Sequence, residues 1–152
     1  MIFTLIASLL LIAAEPASVT VELLSTKPEA LASMPKVELK VESDGKTVTY
    51  SGVALASILN ARDKATPGMA GLRELSDAVI LVRGADGYQA AVSAAAVAMD
   101  TKGERYLLAT SRDGQVRTGQ LIIPADPKHA RWVRDVVAIR LVRFKEIVKA
   151  DP

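Results

Sequence analysis

Cysteine is absent from this 152-residue chain, and aromatic residues make up 4% of it. Without a thiol the protein can form no disulfide and can offer no thiolate to a soft metal ion. The core must be built largely from Ala, Val, Leu and Ile, because half of the residues are hydrophobic while tryptophan occurs once. Such side chains favour sheets and small helices in close contact, and the length favours one domain.

A large charge of either sign is also missing. The formal net charge is +2, and Lys and Arg form no continuous stripe, which argues against nucleic-acid binding. Basic residues gather between Lys128 and Lys145, where their spacing predicts a solvated strand face. His129 is the one histidine, so no histidine cluster can build a metal site. It acts either in acid–base chemistry or as a surface residue beside Lys128.

The apolar N-terminal run is too short to span a bilayer. Residues 2–14 are uncharged and almost all apolar, whereas a membrane helix needs about 20 such residues. The abrupt polar switch at Glu15-Pro16 favours a signal peptide at residues 1–14, followed by a domain at residues 15–152. The alternative is a buried N-terminal strand or helix. The signal interpretation predicts a periplasmic or secreted protein whose mature chain has no integral membrane segment.

Short strands and short helices alternate along the rest of the chain. The patterns predict strands at residues 19–24, 37–42, 47–50, 78–82, 88–92, 105–110, 121–123 and 137–148, with a slip of phase near 141–142 in the last one. They predict helices at residues 28–34, 52–61 and 94–99, the first capped by Ser25 or Thr26 and the third by Ser93. Residues 62–75 are predicted to be a loop. The expected fold is a single α+β domain, mixed but mostly β-sheet, with short helices.

Three Asp-Gly pairs predict tight turns, at Asp44-Gly45, Asp86-Gly87 and Asp113-Gly114. Gly87 is expected at a positive φ, and Tyr88 is expected to begin the next strand with its hydroxyl on a partner. Gly84 to Gly87 is a turn and not a phosphate-binding loop, since the sequence has neither a Walker motif nor Gly-x-Gly-x-x-Gly. There is also no Gly-x-Ser-x-Gly nucleophile elbow.

Six segments in a fixed order carry a family resemblance. They are Tyr50-Ser51-Gly52-Val53-Ala54-Leu55, Ala85-Asp86-Gly87-Tyr88, Tyr106-Leu107-Leu108-Ala109, Asp113-Gly114, Pro124 and Arg131-Trp132-Val133-Arg134. Their order and intervals resemble the molybdopterin-binding domain of the sulfite oxidase family, over most of the chain after residue 14. The resemblance implies a fold like that domain.

The resemblance also implies where a metal ligand would stand. In catalytic members a cysteine thiolate ligates molybdenum, and Lys40 falls near that position, or Leu39 or Val41 if the alignment slips by one residue. An ammonium cannot replace a thiolate as a metal ligand. The alternative is that Lys40 is an exposed lysine on a polar strand face. The preceding segment, residues 15–36, contains no Arg or His that could hold a pyranopterin.

A remnant of the pterin pocket is the second implication. The residues that the resemblance places there are Asp86, Tyr88, Arg112, His129, Arg131 and Trp132. In catalytic members a basic residue before the tryptophan helps to hold the pterin phosphate, so Arg131 would bind an anion with Trp132 as a wall behind it. The competing interpretation makes Arg131 a solvated rim charge.

Three functions are compatible with the sequence. The first is an exported, non-catalytic, cofactor-free module that binds a small anionic ligand or an envelope protein. The second is a minimal molybdopterin-dependent oxidoreductase of the sulfite oxidase type, with the metal held by the pterin alone or by a non-thiolate ligand. The third is a structural subunit with no small-molecule site. No catalytic residue is assigned.

Overall fold

The computed structural model describes residues 18–62 and 65–145, so the predicted signal peptide lies outside the described residues. The strands are β1 (Ser18–Leu24), β2 (Lys36–Ser43), β3 (Lys46–Ala54), β4 (Ala78–Gly84), β5 (Gln89–Ser93), β6 (Leu107–Arg112), β7 (Gln115–Ile122) and β8 (Val136–Lys145). The helices are α1 (Pro28–Ala32), α2 (Leu55–Asn60), α3 (Gly68–Glu74) and α4 (Ala94–Met99), with a 3-10 turn at Pro127–His129.

The strands form two four-stranded sheets. The first sheet has the order β1-β8-β4-β5 and the second the order β2-β3-β6-β7. Every pairing within them is antiparallel. The predicted α+β class and the predominance of β-sheet are therefore confirmed. None of the helices in the described ranges is long and apolar enough to cross a membrane.

One hydrophobic core joins the two sheets and the helices. Alternate residues of β4 and β8, such as Ile80 and Ile139, point inward and are fully buried. Leu107 of β6 is equally buried in the second sheet, and Leu55 and Leu59 of α2 enter the same cluster. The period-2 pattern of the strands thus meets the apolar face of a short helix, which is the usual basis of an α+β domain.

The helix predicted at residues 52–61 begins three residues later. β3 continues through Ala54, because Val53 pairs with Leu108 and Gly52 with Ala109 across a bulge. Gly52 is required there, since a Cβ on it would lie 2.0 Å from the carbonyl oxygen of Leu108. Main-chain pairing with β6 has overridden the helical spacing of the apolar residues.

The loop predicted at residues 62–75 contains α3. Pro67 is the N-cap residue and Gly68 opens the helix, so the two expected breakers serve as its start. Gly71 lies inside the helix because it packs directly against the Thr66 backbone, where a Cβ would be 1.9 Å from the Thr66 oxygen. A glycine that a pattern marks as a breaker is here a close-packing position.

Helix caps agree with the prediction at one site and not at another. Ser93 caps α4, since its hydroxyl accepts the Ala96 N–H at 3.2 Å. α1 begins at Pro28 with Lys27 as N-cap and no side-chain cap, so Ser25 and Thr26 do not cap it. Proline at the first helical position removes one of the free donors that a cap would otherwise satisfy.

The predicted phase slip in the last strand is wrong. β8 keeps one register with β1 and β4 through Leu141 and Val142. Leu141 is buried in the hydrophobic core, and Val142 is buried on the outer face of the first sheet, where it stands between Val21 and Val79 on the flanking strands. The two consecutive apolar residues therefore reflect apolar neighbours on both faces of the sheet, and not a break in the alternation of the strand.

Candidate functional site

A cleft of about 660 Å³ lies beside the second sheet. Its walls come from the β2–β3 turn, from β3, from the β6–β7 hairpin and from the segment that leads to β8. The lining residues are Ser43, Asp44, Tyr50, Arg112, Arg117, Thr118, Gln120, Lys128, His129, Trp132, Arg134 and Asp135.

Two tight turns shape the hairpin side of the cleft. Asp44-Gly45 and Asp113-Gly114 have positive φ at both residues, as type I′ hairpin turns require. Asp113 also ties its hairpin to β3: its N–H donates to the Thr49 oxygen at 2.7 Å, and its carboxylate accepts the Thr49 N–H at 2.9 Å. This fixes Arg112 near Tyr50, with the guanidinium carbon 5.9 Å from the ring centroid.

The cleft carries an excess of positive charge. Four of its lining side chains are cationic (Arg112, Arg117, Lys128 and Arg134), and two are acidic (Asp44 and Asp135). Asp135 already accepts a hydrogen bond from the Thr118 hydroxyl. Within residues 18–62 and 65–145, the ion pairs are Arg112–Asp113, at 4.0 Å, and Arg131–Asp126. Arg117, Lys128 and Arg134 are thus unpaired as far as the described residues go, and they face a shared space.

Three aromatic rings form a rigid wall. Trp132 is 8% exposed, and its indole N–H donates to the Ile123 oxygen at 2.8 Å. Tyr50 meets it edge-on, with centroids 5.7 Å apart. His129 stacks on it at 3.7 Å with the planes 14° apart. Trp132 is therefore held from three directions, and it lies in contact with the cleft.

An internal ion pair braces the segment that carries His129. The buried Asp126 carboxylate accepts the Arg131 backbone N–H at 3.1 Å, its Nε–H at 2.8 Å and its Nη2–H. The hydrogen bonds that Arg131 donates to Asp126 raise the pKa of Arg131, and partial burial offsets some of that rise. Two N–H groups of the guanidinium fork are therefore occupied by a carboxylate of the same loop.

The same segment contains an unusual run of backbone conformations. Lys128 and His129 are consecutive residues in the left-handed region, with φ of 52° and 56°, and Asp135 follows at 47°. A non-glycine residue pays about 1–2 kcal/mol for that conformation. No tight hairpin explains these three, and strained residues concentrate at functional sites. Their side chains all line the cleft.

The structure brings three of the six pocket residues implied by the resemblance into the cleft: Arg112, His129 and Trp132. The Asp86 carboxylate accepts the Tyr88 N–H at 2.9 Å within its own turn, and the Tyr88 hydroxyl donates to the Ala130 oxygen. Asp86 and Tyr88 thus lie outside the cleft lining. Asp86 stabilises its own turn, and Tyr88 holds the segment that contains Ala130. Arg131 lies outside it as well, paired with Asp126.

The turn before β5 is partly as predicted. Gly87 has a φ of 85°, which confirms the expected positive value. Tyr88 does not begin the strand, because β5 starts at Gln89. Its hydroxyl does reach a partner, the Ala130 carbonyl, so the side chain connects this turn to residues 126–131, hereafter the strained loop.

Sequence reasoning missed three of the four cationic residues of the cleft. Lys128 and Arg134 belong to the late basic cluster, but they lie in a loop and not on a strand face. Arg117 stands on β7 with no motif around it. The available signal was the basic cluster itself, which the strand interpretation assigned to solvent.

Lys40 lies apart from the cleft. It is exposed on β2 opposite Thr49, and it is not among the lining residues. In the part of the chain that the structure describes, no group of three or more His, Asp or Glu could hold a metal ion. Because the chain has no cysteine, it cannot supply the protein ligand of a thiolate-bound molybdenum centre.

Fold and cleft together define a small, β-rich α+β domain with a cationic pocket. Comparisons with protein-family models and with curated protein sequences give no significant match to this chain.

Proposed function

We propose that this protein is a non-catalytic module that binds a small anionic ligand in the cationic cleft. The observation that carries the proposal is the convergence of Arg112, Arg117, Lys128 and Arg134 on one space lined by only two carboxylates. Converging like charges cost free energy unless a counter-charge joins them. Guanidinium groups favour planar oxygen acceptors such as phosphate or carboxylate.

The strained loop supports the same proposal. Its left-handed residues place Lys128 and His129 at the cleft, while Asp126 and the Tyr88 hydroxyl bind the loop from behind. A binding group that is already held in position loses less conformational entropy when a ligand arrives. The loop is thus suited to recognition.

The single tryptophan makes the proposal easy to test. Trp132 lines the cleft under His129, so a bound anion should change its fluorescence. The experiment titrates the purified protein with inorganic pyrophosphate and, separately, with citrate. We expect a saturable response that weakens as salt is raised, since charge pairing is screened.

The decisive variant is the Arg117→Ala/Arg134→Ala double substitution, which removes two exposed cleft cations. It should raise the dissociation constant at least about tenfold, because solvent screening of these two exposed side chains reduces each contact to about 1 kcal/mol. Arg73→Ala, which removes an exposed arginine of α3 outside the cleft, is the matched control. Equal affinity in the double variant and the control would contradict the proposal, as would the lack of any saturable response.

We propose further that the domain is a cysteine-free relative of the sulfite oxidase molybdopterin domain. The order of its motifs supports this, as does the Tyr50–Trp132 contact, which joins the first and the last of the six resembling segments. The catalytic alternative, a minimal molybdopterin oxidoreductase, has no support from the donor set around Lys40. Molybdenum and pterin content of protein purified from its native host decides: near-stoichiometric amounts of both would favour the enzyme.

Export remains part of the proposal. The apolar run at residues 2–14 and the polar switch at Glu15 support a cleaved signal peptide and a periplasmic or secreted location. Mass spectrometry of cell-derived protein should find a terminus at or near Glu15, and an intact Met1 would refute it. If no anion binds, an envelope protein partner becomes the better interpretation of the module.

A further inference from the structure

We infer that β1 is an interface strand at which two copies of this chain pair antiparallel, joining their first sheets into one continuous sheet. β1 is the outermost strand of that sheet, and within the described ranges no strand pairs with its free side. A free edge presents N–H and C=O groups that another strand can satisfy. The inference is independent of the proposed anion site, which lies beside the second sheet.

The other three sheet edges carry features that prevent such pairing. β2 presents alternating exposed lysines and glutamates, and β5 is only five residues long. β7 contains Arg117 and Gly119, shifts register against β6, and bridges to Val133 through Leu121. Charges, short length, irregular pairing and cover are the usual protections of a strand edge. Each of these edges has at least one.

β1 is the least protected of the four edges, because Glu22 is its one charged residue and within the described ranges no strand pairs with its free side. Its sequence, Ser-Val-Thr-Val-Glu-Leu-Leu, has no Lys, Arg, Gly or Pro, and all seven residues pair with β8 without a register shift. A regular, mostly apolar strand whose edge is free within the described ranges is an open template for pairing. Among the four edges, β1 alone combines these properties.

The outer face of β1 is apolar as well. Val19, Val21 and Leu23 are 54%, 58% and 69% exposed. Phe144 of β8, opposite Val19, is 48% exposed and extends the apolar surface. The solvated face of an antiparallel sheet normally carries polar side chains, so an apolar row at its edge indicates that another surface covers it.

A second copy fits this edge because the strand is self-complementary about its middle residue. A two-fold axis at Val21 pairs all seven residues, with Val21 opposite Val21 of the second copy and Val19 opposite Leu23. The one charged side chain, Glu22, then stands opposite Thr20. An axis at Glu22 would instead bring two carboxylates together, and like charges directly opposite each other are destabilising. The charge pattern is therefore compatible with a second copy as the occupant, and it selects the register.

Mass measurement tests the pairing directly. The full chain, as purified, should sediment at twice the monomer mass, and Val21→Lys should return it to monomer by placing two ammonium groups at the axis. Val137→Lys is the matched control, because Val137 is 57% exposed on the same sheet but precedes the part of β8 that pairs with β1. That variant should remain dimeric.

Cross-linking tests the register. The chain has no cysteine, so a single Val21→Cys should form an intermolecular disulfide, because directly opposite residues have α-carbons about 4.5–5.5 Å apart. Val19→Cys should not, since the two thiols would be about 13 Å apart along the strands. A wild-type monomer, a dimeric Val21→Lys variant, or equal cross-linking at both positions would overturn the inference. A dimer that responds as expected to all variants would support it.

Discussion

The Asp126–Arg131 pair offers the sharpest test of how the cleft loop is held. Asp126 is 8% exposed, and its carboxylate receives one backbone N–H and two guanidinium N–H groups, all from Arg131. Asp126→Ala removes all three bonds, whereas Arg131→Ala removes the guanidinium and keeps the backbone N–H. A double-mutant cycle with both substitutions isolates the side-chain pair from the backbone bond.

The expected coupling follows from the exposure of the two partners. Hydrogen bonds to charged groups contribute about 1.5–3 kcal/mol when they are shielded from water. The Arg131 side chain is 46% exposed, so solvent screening places the pair near the lower end, at about 1.5 kcal/mol. The backbone N–H bond adds about 1 kcal/mol, and Asp126→Ala should therefore cost about 2.5 kcal/mol in total.

Urea unfolding followed by Trp132 fluorescence and circular dichroism measures each corner of the cycle. The pKa of Arg131 is raised by the Asp126 hydrogen bond, so the arginine's contribution is complete below its ordinary pKa and is lost only above the raised value. The coupling should therefore be the same at about pH 7 and about pH 9. A coupling below about 0.5 kcal/mol, as exposed pairs often give, would refute the view that this pair braces the loop.

Two further predictions concern the fold that carries the site. Gly52→Ala should lower the unfolding free energy by at least about 2 kcal/mol, because its Cβ would meet the Leu108 backbone. Gly87 has a φ of 85° and open space around it, so Gly87→Ala should lower the unfolding free energy by only about 1 kcal/mol. Equal melting temperatures for the two variants would contradict this prediction. Asp100→Ala should lower the unfolding free energy by about 3 kcal/mol, since the buried carboxylate accepts the N–H groups of Glu104, Arg105 and Tyr106. The same substitution should speed amide hydrogen exchange at Tyr106. An unchanged exchange rate would show that these hydrogen bonds do not protect the amide.

Much of the fold could be predicted because local chemistry determines it. The alternating residues of β2, the Asp-Gly turns and the Ser93 cap each act within a few residues of chain. Errors arose where tertiary contact decides the outcome. Gly52 belongs to a strand because β6 lies against it, and Gly71 lies in a helix because Thr66 lies close to it. Neither contact can be predicted from the pattern of the residues that surround each glycine in the sequence.

The site was less predictable, for a related reason. Arg117 and Lys128 come from distant parts of the chain, and only the packing of the hairpin against the loop brings them to one cleft. The left-handed Lys128-His129 pair has no glycine or asparagine to signal it. Trp132 and Arg112 were found through the family resemblance, which orders motifs but does not report the charge around them.

The position of Arg131 bears on how an Arg-Trp pair should be interpreted in this chain. For Arg131 to bind a ligand with its full fork, it would have to leave Asp126, whose side chain is 6% exposed. Giving up the pair costs the coupling of about 1.5 kcal/mol and leaves the buried carboxylate with the Arg131 backbone N–H alone, while one charge-assisted contact to the ligand returns free energy of the same order. The exchange brings little net gain, so Arg131 is better suited to bracing the loop than to anchoring the ligand. Trp132 still lines the cleft wall. Anion binding is instead assigned to Arg117, Lys128 and Arg134, which have no carboxylate partner within the described ranges. On this argument Arg131→Ala should weaken pyrophosphate binding less than Arg117→Ala/Arg134→Ala does, and the opposite order in a Trp132 titration would restore Arg131 as the anchor.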